Sequence, residues 1–160
     1  MNKLKQEGNK YFIESAKHFQ KGNTFKDETI KKVFDFSYAM AFGDGKHRDH
    51  RSGGSMNRKK GQIFINTFQG KLSELAIYNR FKAFNSAVYN RLSPPDFDVY
   101  GLGEWDDSDI ILDSLKFSIK STKFFGNLLL LETKDWNKKG EYVPNINLVE
   151  KSCLYDYFVL

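Results

Sequence analysis

The stretch that most constrains this chain is Asp107-Ser108-Asp109-Ile110-Ile111-Leu112-Asp113-Ser114-Leu115-Lys116-Phe117-Ser118-Ile119-Lys120-Ser121-Thr122-Lys123. Two short runs rich in Ile, Leu and Phe flank Asp113-Ser114, a pair suited to a tight turn, which predicts a β-hairpin. With a two-residue loop, Leu112 faces Leu115, Asp109 falls opposite Ser118, and Asp107 falls opposite Lys120. Side chains alternate across a strand, so Ile110, Leu112, Leu115, Phe117 and Ile119 share one apolar surface. Asp107, Asp109, Ser118 and Lys120 share the other, where opposed Cβ atoms stand roughly 5 Å apart. One side of the hairpin belongs to a core, and the other gathers carboxylates around a lysine.

The remaining chain supplies enough apolar surface for such a core. Its 160 residues are 40% hydrophobic and 16% aromatic, which suits one folded domain, and its helical and strand-like runs predict the α/β (α+β) class. Residues 3–22 place Leu4, Tyr11, Phe12, Ala16 and Phe19 near helical spacing and predict a helix that stops at Gly22-Asn23. A second helix is expected from Lys26 to Met40, and both are expected to pack against the later sheet. The clearest helical pattern runs from Gly70 to Phe84, with Leu72, Leu75, Ala76, Tyr78, Asn79 and Ala83 on one side. Glu74 lies within it, either as a first-turn acid complementing the helix dipole or as a carboxylate directed at the hairpin.

Ser93-Pro94-Pro95 breaks the helical pattern. Asp96 to Tyr100 then predicts a strand, and Gly101 to Glu104 a loop. Leu128 to Trp136 fits a buried strand or a short buried helix, Asn137 to Gly140 a turn, and Tyr155 to Leu160 a final strand. That last strand stops within its apolar pattern, as a truncated chain would. The expected division is residues 1–69 for amino-terminal helices and a basic loop, and residues 70–160 for the hairpin-bearing core.

Charge narrows the partners. The net charge is +5, and residues 43–61 concentrate Lys46, Arg48, Arg51, Arg58, Lys59 and Lys60 among Gly and Ser. A solvated surface loop is the plainer account, and a loop that neutralises DNA phosphates is the sharper one. His47 and His50 in this loop have no cysteine beside them and cationic flanks, which argues against zinc. The single Cys153 excludes an internal disulfide framework and fits a reducing cytoplasm. No apolar run approaches the roughly 18 residues of a membrane span.

A helical glutamate followed by strands, with Asp on one hairpin arm and Ser-Ile-Lys on the other, resembles the PD-(D/E)xK nuclease superfamily. The run Phe-Ser-Ile-Lys-Ser-Thr-Lys followed by Asn-Leu-Leu-Leu-Leu-Glu-Thr-Lys-Asp-Trp is most similar to type II restriction endonucleases, over residues 70–160. The resemblance implies a restriction-endonuclease-like core with a central mixed or antiparallel sheet flanked by helices. It implies Mg²⁺-dependent, sequence-specific cleavage of double-stranded DNA by a homodimer. Asp109 would bind metal, Lys120 would orient the attacking water and hold the phosphate, and Glu74 would complete the metal shell. Lys123 and the basic loop would contact DNA.

The sequence departs from the superfamily where an acid is expected two residues before the lysine: Ser118 stands there. Glu132 and Glu74 are the candidate substitutes. A competing assignment takes Asp96 with Glu132 and Lys134, which match the literal motif, although nothing local brings Asp96 to Glu132. Two other functions stay open: a non-catalytic DNA-binding module with a nuclease-like fold, and a repair or junction-resolving nuclease. The chemistry stands apart from the family. Hydrolysis of a phosphodiester needs a hydroxide-like nucleophile and positive charge against the transition state, and Mg²⁺ takes one or two carboxylates with waters and phosphate oxygens.

Overall fold

The computed structural model describes residues 5–12, 18–43, 58–84, 86–99, 108–122, 129, 131, 133–143 and 154–160. Within them the chain is α+β. It has helices α1 (Asp27–Phe42) and α2 (Lys60–Phe84), a two-stranded sheet of β1 (Lys5–Glu7) and β2 (Lys10–Phe12), and a three-stranded sheet. The larger sheet holds β3 (Ile110–Leu112), β4 (Leu115–Ile119) and β5 (Tyr157–Val159) in the order β3-β4-β5. It is mixed: β3 pairs antiparallel to β4, and β5 pairs parallel to β4. None of the described helices is long and apolar enough to cross a membrane.

The hairpin forms with the expected register, Leu112 facing Leu115 and Ile110 facing Phe117. Its turn is possible because Asp113 adopts a left-handed backbone (φ 55°), which Asp tolerates better than most side chains. Arg91 clamps the turn through two hydrogen bonds to the Asp113 carboxylate. The outer edge of β3 is covered by the segment before it. The Ser93 N–H donates to the Ile111 carbonyl at 2.8 Å, and Ser93 Oγ accepts the Ile111 N–H at 2.9 Å.

Ile110, Phe117 and Ile119 are buried together with Leu92, against Ile77, Tyr78 and Phe81 of α2. Leu115 is exposed and Leu112 half-buried, because the hairpin tip runs past the end of this contact. Burying a large aliphatic or aromatic side chain contributes about 1.5–3 kcal/mol, so this cluster fixes the sheet on α2.

α1 follows its apolar stripe of Val33, Ser37, Met40 and Ala41. The buried Ser37 hydroxyl is satisfied by donating to the Val33 carbonyl one turn back, at 2.7 Å. Gly43 ends the helix, where a Cβ would come within 2.7 Å of the Ala39 carbonyl oxygen. α1 packs on α2 rather than on the sheet, through contacts such as Phe34 with Phe64. The two helices run antiparallel: Phe42 meets Phe64, while Phe25 lines a groove with Leu72 and Ala76.

Several elements depart from the expectations. Residues 5–12 form a hairpin around Gly8 (φ 60°) in place of the amino-terminal helix, and Tyr11 and Phe12 are exposed. A turn-forming Gly8-Asn9 outweighs the loose apolar spacing there. α2 starts ten residues ahead of Gly70, with the side chain of Gln62 accepting the Lys59 N–H at 3.0 Å, half of a capping box. Residues 96–99 are not a strand, because Asp96 Oδ1 accepts the Asp98 N–H at 2.8 Å and turns the chain. Among the described residues between 129 and 136, the regular element is a 3₁₀ turn at Thr133–Asp135, and Leu131 is exposed. The turn at 137–140 and the strand near the carboxyl end form as expected.

Candidate functional site

The site is built where β3 begins and β4 ends. Continuing the hairpin register by one residue sets Asp109 opposite Ser118. The Asp109 carboxylate turns back over β4: its Oδ2 accepts the Ile119 N–H at 2.5 Å and the Ser118 hydroxyl at 3.4 Å. Lys120 Nζ lies 3.7 Å from the same oxygen. All three contacts fall on Oδ2, and no described residue hydrogen-bonds Oδ1. Lys120 is held from behind, because its backbone N–H donates to the Val159 carbonyl at 2.8 Å. The parallel strand β5 thus fixes the lysine that the hairpin alone only aims.

The Asp109 and Lys120 side chains are 30% and 44% exposed, open enough for a solute to reach both. The face they share is nevertheless not a solvent face throughout. Ser118 is 1% exposed. It lies in register with Phe158, and Trp136 stands edge-on to that ring at 5.5 Å. Tyr155 and Tyr142 complete the aromatic shelter around Trp136, at 6.4 and 5.3 Å. The hairpin pattern could not reveal this cover, since it comes from residues 18 to 40 positions further along the chain.

Glu74 is paired on its own helix. Its carboxylate pairs with Lys71 on the same helix at 2.6 Å, and the two side chains are 12% and 13% exposed. Lys71 Nζ lies 5.3 Å from the Phe36 ring centroid and 5.6 Å from that of Phe97, which places this pair beside α1. Among the described residues, no group of three or more His, Cys, Asp and Glu side chains is arranged to hold a metal ion. What Asp109 offers is one carboxylate with an oxygen left for a cation, a donor type that suits Mg²⁺. Asp96, of the competing assignment, spends Oδ1 on its own turn.

The cations expected to contact DNA divide into two groups. Arg58, Lys59 and Lys60 gather at the start of α2, with Lys59 and Lys60 exposed. From Lys60 to Ile77, where α2 meets the sheet, the helix advances roughly 25 Å at about 1.5 Å per residue. These residues therefore stand apart from Asp109 and Lys120. Lys46, Arg48, Arg51, Lys123 and Glu132 lie outside the described residues, as do Asp107 and Cys153.

No protein-family model, curated protein or solved structure matches this chain.

Proposed function

We propose that this chain is a Mg²⁺-dependent endonuclease that hydrolyses phosphodiester bonds of double-stranded DNA, with a restriction-endonuclease-like arrangement of α2 and the β3-β4-β5 sheet. The observation that carries the reading is the convergence of Lys120 Nζ and the Asp109 carboxylate at 3.7 Å on an accessible edge of the hairpin. Asp109 would ligate the cation through Oδ1 while Oδ2 stays hydrogen-bonded to the Ile119 N–H. Lys120 would hold a phosphate oxygen and favour charge on it in the transition state. When bound, the metal would lower the pKa of a coordinated water and counter developing negative charge. In this reading a second carboxylate comes from Glu132 or from Glu74, whose Oε2 is paired with Lys71. Sequence specificity and cutting of both strands by a pair of chains belong to the same proposal.

The test is cleavage of supercoiled plasmid DNA in Mg²⁺ and in EDTA, with Lys120→Ala and Asp109→Asn beside the unaltered chain. Metal-dependent nicking or cutting, lost by at least about 100-fold in each variant, supports the assignment. Undiminished cutting by both variants rejects it.

One observation favours a second reading, a DNA-binding module without catalysis. Ser118, where the superfamily has an acid, is buried and gives its hydroxyl to Asp109, so the local network is closed with a single carboxylate. Salt-sensitive duplex binding with no cleavage in Mg²⁺ or Mn²⁺ would select it.

A further inference from the structure

The helical pair carries a face that the chemistry above does not use. Phe34, Tyr38 and Phe42 occur once per turn along α1, and they are 47%, 54% and 43% exposed. Their rings form a continuous ridge. Phe34 and Tyr38 lie 6.3 Å apart and nearly parallel, Tyr38 and Phe42 lie 5.0 Å apart, and Phe64 of α2 backs both ends at 5.3 and 6.3 Å. The ridge continues along α2 through Phe68, stacked on Phe64 at 5.9 Å, into the apolar groove of about 450 Å³ that Ile65, Phe68 and Leu72 line. Half-exposed aromatic rings in a contiguous row are characteristic of an interface rather than of a free surface.

Charge at the two ends of this face says what covers it. Asp27 and Glu28 open α1. Asp27 precedes Phe34 by seven residues, two helical turns, and therefore lies in line with the ridge. Lys60, one turn before Phe64, and its neighbour Lys59 mark the other end, where cations oppose the helix dipole. Between the ends, Lys31 and Asp35 neutralise each other at 2.6 Å. Because α1 and α2 run antiparallel, the acidic and basic ends lie roughly 22 Å apart along α1 with the rings between them. A two-fold axis through the Phe34–Tyr38 region exchanges the ends, so a face of this kind is complementary to itself.

We infer that the α1–α2 face is a self-association surface on which a second copy of this chain docks antiparallel, ring ridge on ring ridge, with Asp27 and Glu28 of each copy meeting Lys59 and Lys60 of the other. Half of three aromatic side chains amounts to roughly 225–375 Å² of largely apolar surface per copy. Such a patch suits the desolvated centre of a standard interface, which buries about 800 Å² per partner, with the groove and the charged ends as its rim. The surface names the partner that cutting both strands needs. The ridge shares no residue with the Asp109–Lys120 site and the readout is mass, so a loss of cleavage and a loss of association are distinguishable.

Sedimentation equilibrium of the full chain in EDTA tests it. The unaltered chain is expected to dimerise at micromolar to tens of micromolar concentration, and Tyr38→Asp to weaken association at least about tenfold while far-UV circular dichroism is unchanged. Lys59→Glu with Lys60→Glu puts acid against acid in a self-pair, and Asp27→Lys with Glu28→Lys puts base against base. Each reversed chain should therefore be monomeric alone, and the two mixed should form a heterodimer. A monomer up to about 100 μM, a dimer indifferent to Tyr38→Asp, or a mixture that fails to associate would overturn the inference. So would a monomer that captures an oligonucleotide through Lys59 and Lys60, since the face would then belong to nucleic acid.

Discussion

Replacing Asp109 separates what this carboxylate does for the fold from what it does for chemistry. In Asp109→Ala the Ile119 N–H, received at 2.5 Å in a residue that is buried, loses its acceptor. Loss of a hydrogen bond to a charged partner costs about 1.5–3 kcal/mol. The Lys120 pair is part-exposed on both sides and adds about 0.2–1 kcal/mol at most. The Ser118 hydroxyl at 3.4 Å is long and adds little. The expected total is about 2–3 kcal/mol, a fall of roughly 1 M in the urea midpoint for a chain of this size. Asp109→Asn keeps an oxygen in place of Oδ2 and should lose less than about 1 kcal/mol, yet it removes the charge a cation needs. Urea unfolding followed by circular dichroism in EDTA reads the stability, and plasmid cleavage in Mg²⁺ reads the chemistry. If Ala and Asn are equally destabilising, the charge and not the acceptor holds β4. If neither moves the midpoint by more than about 0.5 kcal/mol, the carboxylate does not bind the Ile119 N–H as described.

Ile110→Ala empties the most enclosed position of the sheet core and should cost about 2–5 kcal/mol, measured by the same unfolding experiment. Ser118→Asp places a second carboxylate in a buried position beside Asp109, so in EDTA it should destabilise by at least about 2 kcal/mol. Millimolar Mg²⁺ should then raise the melting temperature of this variant more than that of the unaltered chain, and an equal response would count against a cation at Asp109. The hydrogen bonds and charge of Arg91 hold the Asp113 carboxyl below its usual value of 3.8. The stability from this pair is therefore complete above that value and fades as pH falls through the lower folded-state value. A carbon-detected NMR titration should place Asp113 higher in Arg91→Ala than in the unaltered chain.

The hairpin was legible because it is local. The alternation of Ile110, Leu112, Phe117 and Ile119 and the turn pair Asp113-Ser114 determine its register, and register alone sets Asp109 beside Ser118 and Lys120. α1 was legible as a helix for the same reason, and Val33, Ser37 and Ala41 lie on its buried side as their spacing suggests. Phe34 and Tyr38 share that spacing but are exposed. The amino-terminal hairpin was misleading, because a few loosely spaced aromatics mimic a helix while Gly8 decides the turn. The early start of α2 was hidden by Gly61 and Gly70, which depress helix propensity without forbidding it.

Tertiary structure alone decided the rest. That β5 runs parallel to β4 and fixes Lys120 through Val159 depends on residues some 40 positions apart, and so does the aromatic cover over Ser118. The Lys71–Glu74 pair is local to α2, but its burial beside Phe36 and Phe97 depends on α1 packing on α2, a contact that periodicity in either helix does not specify. Short-range alternation dictates which side chains share a face. Which element comes to lie against that face is settled by burial among distant segments, and the sequence pattern of one segment carries no record of it.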